Sequence, residues 1–479
     1  MSKNVYAQSP FDSYETGKLL DFLLQESAEA GIRNYQQLGV DDIRNVNWAD
    51  LGLEWENRTY LFTSLKWRGK KLAGNLDLSG FKELKIVYCE NNSLSKLDVT
   101  DCPNIIYLDC YGNNIKSLDL STNVNLRQIG LRYNFLTELD LSNNNQLTFV
   151  CCTGNNIDSL NLSGLKLLET LYCIANKLNH LNLKDCDRLM DFKCTDNNLT
   201  YIDISNKRYL SIFSCARNNI SEINLANCPA LSSFDCNDNV IPTLDFTGCL
   251  RLSSLQCNDN ILKEINIEDC TSLKELNCNN NLLESLKIPD STTLEILQCK
   301  NNNLDFFSLP RVAPHFKNYV YGSQNIRYVD AYVDEINLSD FFIIDGFFSR
   351  YLWFEDVNLL EPEIINDGVF RFEDNYINKL LTCRIQNQIL PNLVLRYDVT
   401  LKVNDVSNIS PEKNAPCVYA SDGYIHVVTV SSEDVCIYSM QGALLMRKIV
   451  ENGRTDIPIG KGLYVVAVGN SNGRVLSVR

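Results

Sequence analysis

Tyr107-Leu108-Asp109-Cys110-Tyr111-Gly112-Asn113-Asn114-Ile115-Lys116-Ser117-Leu118-Asp119-Leu120 decides the architecture of this 479-residue chain. Its pattern returns every 21 residues. Asn92, Asn113, Asn134, Asn155, Asn176, Asn197, Asn218, Asn239, Asn260, Asn281 and Asn302 form one column. Three residues before each stands a second: Cys89, Cys110, Leu131, Cys152, Cys173, Cys194, Cys215, Cys236, Cys257, Cys278 and Cys299. A period this strict means a coil stacked on itself, each turn touching only its neighbours.

The unit reads L-x-x-L-x-C-x-x-N-x-L-x-x-L-x-L, as in Ile105, Leu108, Cys110, Asn113, Ile115, Leu118 and Leu120. Its Leu-x-Cys stretch alternates, so Leu and Cys point inward while their neighbours point out. One short strand per coil then stacks into a parallel sheet. The Asn turns the chain after the strand, and its amide is expected to bond backbone groups of its own and adjacent coils. The remaining half of the unit is too short for a full helix, so extended or 3₁₀ returns are expected. Over roughly residues 61–310 the pattern resembles the leucine-rich repeat family, in a short, Cys-rich bacterial variant. The resemblance implies a mainly β, right-handed solenoid.

Nineteen cysteines would suggest disulfides in an exported chain. The register argues instead for packing: each ladder Cys stands where Leu131 stands, as a small apolar residue. A partial second column, Cys102, Cys186, Cys228, Cys249 and Cys270, falls in the return turns. No C-x-x-C occurs, and the three His (His180, His315, His426) lie on unrelated segments, so no metal is expected. Cys151 and Cys152 are adjacent and face opposite ways, which makes Cys151 the expected exposed thiol.

The outward positions form the open, concave face. In the N-terminal half they carry Ile86, Tyr88, Tyr107, Tyr111, Phe149, Tyr172 and Ile174, with Tyr133 at the rim. In the C-terminal half they turn polar: Asp191, Lys193, Ser233, Asp235, Ser254, Gln256, Glu275 and Asn277. Tyr buries much area at low entropic cost, so Ile86, Tyr88, Tyr107, Tyr111, Tyr133, Phe149 and Tyr172 are the candidate ligand-binding residues. On the opposite side, Asp98, Asp119, Asp140, Asn161, Asn182, Asp203, Asn224, Asp245 and Asn266 are expected to cap return turns. The loops at Cys236-Asn237-Asp238-Asn239 and Cys257-Asn258-Asp259-Asn260 are rich in oxygen but match no EF-hand spacing.

Residues 1–60 read as an N-terminal helical cap. An amphipathic helix is expected over residues 12–30, N-capped by Asp12 or Ser13, with Leu19, Leu20, Leu23 and Leu24 on its apolar face. A second short helix near Asp41-Asp42 would carry Ile43, Val46 and Trp48, and with Trp55 and Trp67 would plug the first coil. Beyond Leu309 the period stops, and 311–330 is a junction. Residues 331–404 hold seven short apolar runs: Tyr332-Val333, Ile336–Leu338, Tyr351–Phe354, Val369–Phe372, Leu381–Ile385, Leu393–Leu395 and Val399–Leu401. They predict a β-sandwich, and the Trp353…Cys383 spacing resembles an immunoglobulin-like domain, although no early-strand Cys is present to pair with Cys383. Residues 405–415 read as a linker.

Residues 416–479 form a second small sandwich. Their runs Val435-Cys436-Ile437-Tyr438 to Gly442 and Gly462-Leu463-Tyr464-Val465-Val466 resemble the C-terminal sorting domain of the type IX secretion system. That resemblance implies passage across an outer membrane. Val5-Tyr6-Ala7-Gln8 is similar to the tail of a signal peptide, whose apolar core would lie upstream of this chain. The order of repeats followed by an immunoglobulin-like domain is like that of bacterial adhesins.

A net charge of −15 and a pI near 4.8, without a basic stripe, argue against nucleic acid and anionic membranes as partners. No apolar run is long enough for a membrane helix. Neither a phosphate loop, a zinc motif nor a nucleophile elbow is present, so no enzyme and no cofactor are expected. The sequence thus predicts a secreted or outer-membrane-surface adhesion protein. It would be a monomer binding a protein or polysaccharide on the concave face. The alternative is an intracellular or host-targeted interaction scaffold, which many reduced thiols would suit.

Overall fold

The computed structural model describes residues 11–479 apart from 57–58, 290–292, 312–315, 333–334, 403–416, 422–423, 430–431, 440–442, 452, 460–461, 469–473 and 479. The signal-like Val5–Gln8 stretch, His315 and the 405–415 linker lie outside the described residues. The chain divides into two compact units, one of residues 1–331 with 335–401, the other of residues 332–334 with 402–479.

In the first unit, fourteen short strands from Leu53–Trp55 to Asn318–Val320 form one sheet. The first pair is antiparallel, and every later neighbour is parallel with a step of one repeat, as in Tyr107↔Gln128 and Leu108↔Ile129. The thirteen parallel strands span roughly 58 Å at about 4.8 Å per step. Leu and Cys of each L-x-C stretch point inward, and Phe192, Phe213 and Phe234 stack at 5.2 and 5.1 Å along one inward row.

The Asn column works as three-way mortar. Asn113 Nδ2 donates to the carbonyls of Cys110 (2.9 Å) and Cys89 (3.0 Å), and its Oδ1 accepts from Leu94 N (2.9 Å). Asn197 repeats this with Cys194, Cys173 and Leu178. Each amide therefore satisfies backbone groups of two coils that the strand turn would leave orphaned. The residue before each Asn adopts a left-handed conformation, from Asn91 and Gly112 through Tyr133 to Asn301.

Returns on the far side are extended, paired in places as short parallel strands such as Glu138–Asp140 with Ser159–Asn161. The Asp/Asn row closes their turns: Asp119 Oδ1 accepts from Ser121 N at 2.9 Å, and Asn182 Oδ1 from Lys184 N at 3.0 Å.

Both ends of the ladder are closed by an aromatic residue in the Cys position, with one extra residue in the coil. Asn92 reaches back to the carbonyl of Trp67 at 2.7 Å, and Trp67 is fully buried. At the other end Tyr321 and Gln324 replace Cys and Asn. Gln324 Nε2 donates to Cys299 O (3.0 Å) and Tyr321 O (2.7 Å), and its Oε1 accepts from Asn302 N (3.1 Å). The repeat therefore continues one coil past Leu309, where the period is expected to stop. The inserted residue and the Asn-to-Gln exchange hide it.

The N-terminal plug is a helix over Ser13–Leu23, capped by Asp12 Oδ1 on Tyr14 N and Glu15 N. It buries Leu19, Leu20, Phe22 and Leu23, with Phe22 stacked on Trp67 at 5.6 Å. It is shorter than the expected 12–30: the chain turns back after Leu24, Ser27 N bonding Ile32 O across Gly31, whose φ is +78°. Leu24 therefore sits at the helix end and is exposed, not on the apolar face. Near Asp42 the expected second helix is a pair of 3₁₀ turns, Ile43–Asn45 and Trp48–Leu51.

Residues 327–402 carry two main sheets and a short hairpin, Ile343–Ile344 with Phe347–Phe348. The larger runs Arg327–Tyr332, Val394–Lys402, Leu380–Gln386, Arg350–Glu355, Asn358–Leu360, and the smaller Ile336–Asn337, Val369–Arg371, Glu363–Asn366. Trp353 and Cys383 face each other in register, and Trp353 packs edge-on against Phe370 and Phe372. The runs at 393–395 and 399–401 belong to one strand. Its polar middle is held by Asp398, which accepts from Arg396 Nε at 2.7 Å and Thr382 Oγ1 at 2.8 Å.

In the second unit, Cys417–Ser421, Tyr424–Thr429 and Gly453–Pro458 form one antiparallel sheet, and Leu444–Val450, Glu433–Ser439, Gly462–Val468 and Arg474–Val478 another. Ile425, Val427, Val435, Ile437, Ile457 and Val466 are buried as its core.

Candidate functional site

The outward column of the sheet reads Tyr88, Asp109, Gly130, Cys151, Tyr172. Gly130 leaves a notch of about 380 Å³ in the concave face. Tyr88 and Tyr107 stand on one side of it, Phe149 and Cys151 on the other, with Asp109 and Gln128 between and Arg68 and Arg132 at the margin. A Cβ on Gly130 would come within 2.7 Å of Asp109 Oδ1, so the missing side chain is what lets that carboxylate lean across. Asp109 Oδ1 accepts from Tyr111 N at 3.1 Å.

Of the expected binding residues, Tyr88, Tyr107 and Phe149 line the notch. Tyr172 packs edge-on against Phe149 at 6.0 Å and donates its hydroxyl to Asp191 at 2.5 Å. Burial and that carboxylate push the Tyr172 phenol up to about 12. Tyr111 and Tyr133 pair with each other at 5.6 Å, and the Arg132 guanidinium lies 5.2 Å from the Tyr111 ring centre. Tyr133 is exposed at the rim, its ring over the space left by Gly154. Ile86 is half-buried and does not line the notch. The residues missed from sequence are Arg68, Asp109, Gln128, Gly130, Arg132 and Cys151. Their signal was the gap in the aromatic column rather than the column itself.

Cys151 does point outward, yet it is 2% exposed, not the exposed thiol expected. The flanking coils cover it, and its Sγ lies 3.7 Å from Thr153 Oγ1. Burial raises its pKa. The ladder thiols from Cys89 to Cys299 are raised too, through burial, Cys278 to about 12. No disulfide joins any of the eighteen described cysteines, of which only Cys436 is not fully buried. Among the described residues no group of three His, Cys, Asp or Glu assembles as a metal site.

Comparison with known proteins returns no matching family model and no matching curated protein. Solved structures do match. The functional domain of InlJ from Listeria monocytogenes, described as including a cysteine ladder, aligns with a TM-score of 0.55 and 21% identity, covering 71% of this chain and 90% of that one. YopM from Yersinia enterocolitica aligns with a TM-score of 0.46 and 25% identity, covering 57% and 61%. The coil is a leucine-rich repeat solenoid. In this leucine-rich repeat the Asn and Cys columns face inward and are spent on the scaffold, so the notch belongs to the variable outward positions. No helix of the described chain is long and apolar enough to cross a membrane.

Proposed function

We propose that this chain is a non-enzymatic binding protein that docks a protein partner on the N-terminal half of its concave sheet. The notch at Gly130, walled by Tyr88, Tyr107 and Phe149, is the observation that carries the reading. Aromatic walls around a depression are where interface energy concentrates. Cys151 offers no catalytic alternative: it is buried, burial raises its pKa, and no His lines the notch. The reading includes a monomer acting at the outer-membrane surface or after secretion. The sheets of residues 327–402 then serve as an immunoglobulin-like spacer, which their strand order and the Trp353–Cys383 pairing support. The sheets of residues 417–478 serve as a sorting domain.

The test is binding of the full chain to arrayed extracellular proteins and glycans, repeated with Tyr88→Ala/Tyr107→Ala/Phe149→Ala. Ligands retained equally by both chains would remove the notch from the function. A second reading, an intracellular or host-targeted scaffold, is favoured by the unpaired thiols. Cell fractionation separates the two.

A further inference from the structure

The aromatic strip lies between two rows of cations. Lys85 and Arg127 immediately precede the strands Ile86–Tyr88 and Gln128–Gly130, and they share a second depression of about 160 Å³. Arg68 and Arg132 follow the strands Phe62–Lys66 and Gln128–Gly130 by two residues. Lys85, Arg127 and Arg132 are exposed and make no ion pair among the described residues, and Arg68 is paired with Glu90. Against these four cations the same stretch of face holds Glu90 and Asp109, with Glu169 two coils beyond Arg127 in its row. That excess is notable on a chain of net charge −15. In the C-terminal half Arg217 pairs with Asp196, Lys193 with Asp191 and Lys317 with Glu295, Lys274 adds to the positive field on Glu295, and Lys300 makes no ion pair among the described residues.

Unpaired cations around an aromatic-walled depression select for charge as well as shape. Close opposite charges steer encounter and fix register, while the apolar anchor supplies most of the holding energy. At about 380 Å³ the notch lies near the lower end of the roughly 300–1,000 Å³ of ligand pockets, and it is open along the concave face, which suits one large side chain of an extended partner. We infer that the notch at Gly130 is the anchor pocket for one large apolar side chain in an acidic segment of a partner protein, whose carboxylates pair with Lys85 and Arg127 on one margin and Arg132 on the other. This rests on the concave-face reading above and adds the chemistry of the partner.

The experiment sorts a display library of random linear peptides against the immobilised full chain, with a glycan array probed in parallel. Enriched peptides are expected to carry one large apolar residue flanked by Asp or Glu. Gly130→Leu, which fills the notch, should weaken them by roughly tenfold or more. Gly130 does not have a positive φ, so the backbone accepts Leu, but the Asp109 carboxylate must shift. A second variant, Lys85→Glu/Arg127→Glu/Arg132→Glu, changes only exposed side chains and should also lose the peptides, with a flatter salt dependence. Neutral or basic enriched sequences, acidic peptides indifferent to both variants, no enrichment, or glycan binding alone would each overturn the inference. Neutral peptides lost on Tyr88→Ala/Tyr107→Ala would overturn the acidic partner yet leave the concave face as the site. Peptides bound equally by all variants would sink both.

Discussion

The two halves of the concave sheet share one scaffold and differ in what their outward side chains do. In the C-terminal half the polar groups are bonded to the next coil: Ser211 with Ser232 (2.9 Å), Ser214 with Asp235 (3.1 Å), Asn277 with Asn258 (2.9 Å) and Asn279 with Gln298 (3.1 Å). A ligand there must break bonds before it makes any. In the N-terminal half the rings of Tyr88, Tyr107 and Phe149 face open space at Gly130, and Arg132 lies over the Tyr111 ring with no ion pair among the described residues. In this solenoid, then, the inward columns set stability, and the outward groups not already bonded within the coil are the ones free for recognition.

The sharpest way to break that separation is to strike the ladder in both halves. Asn113→Ala and Asn239→Ala each orphan one N–H and weaken the bonding of two carbonyls, Asn239 being bonded to Cys215, Cys236 and Ile220. Each should destabilise by several kcal/mol, at about 1–3 kcal/mol per unsatisfied buried group. Equal losses of melting temperature are expected despite the different faces above. A loss confined to one half would mean that the outward residues share in holding the coil.

Next in size is an effect on binding alone. Tyr107→Ala with Phe149→Ala should cost roughly 2 kcal/mol or more in partner affinity, a hot-spot magnitude. Ser233→Ala with Gln256→Ala in the polar half should leave affinity unchanged in a biosensor titration. If the polar pair mattered as much as the aromatic pair, the division of the face would be wrong.

Much of this was legible before the structure. The period announced the coil, and alternation gave the direction of every side chain on it, Cys151 included. What alternation does not give is cover. Cys151 points outward and is still buried, because side chains of the flanking coils, Asp109, Arg132 and Tyr172 among them, crowd that strand. The notch is hidden from the aromatic pattern for a related reason: the decisive residue, Gly130, is a gap among the aromatics. The extra coil at Tyr321–Gln324 lay beyond a one-residue insertion, which breaks a period but not a stack. Polar positions inside strands, such as Asp398, read as interruptions until their partners Arg396 and Thr382 are seen.

The two ends should also differ in their response to pH. The plug beside the aromatic half buries Glu15, which accepts from Phe62 N at 2.8 Å. Burial raises its pKa from 4.5 to about 7, with Asp12 and Glu83 adding to the rise and the Phe62 bond opposing it. A raised folded-state value favours the protonated form. The stabilising contribution is therefore fully present below about pH 4.5 and is lost as pH rises through about 7, on the order of 1–2 kcal/mol. The opposite end closes on Gln324, a neutral amide. Melting temperature should fall between pH 5 and 8, and Glu15→Gln should flatten that slope. A slope unchanged in the variant would assign the pH response elsewhere.

The smallest effect is the most discriminating. Arg217 and Asp196 form a two-bond pair in the polar half, at 2.5 and 2.7 Å, with both side chains well exposed. Exposed pairs contribute about 0.2–1 kcal/mol, because water screens them and ordering two long side chains costs entropy. A double-mutant cycle should return a coupling in that range. Arg132 occupies the aromatic half without a carboxylate partner among the described residues, so Arg132→Ala should change stability by less still. If the two regions divide as argued, Arg132→Ala nonetheless weakens partner binding, whereas Arg217→Ala weakens only the fold. Reversal of that pattern would show that charges already paired within the coil are the ones used for recognition, and that being unspent is not what marks a site on this face.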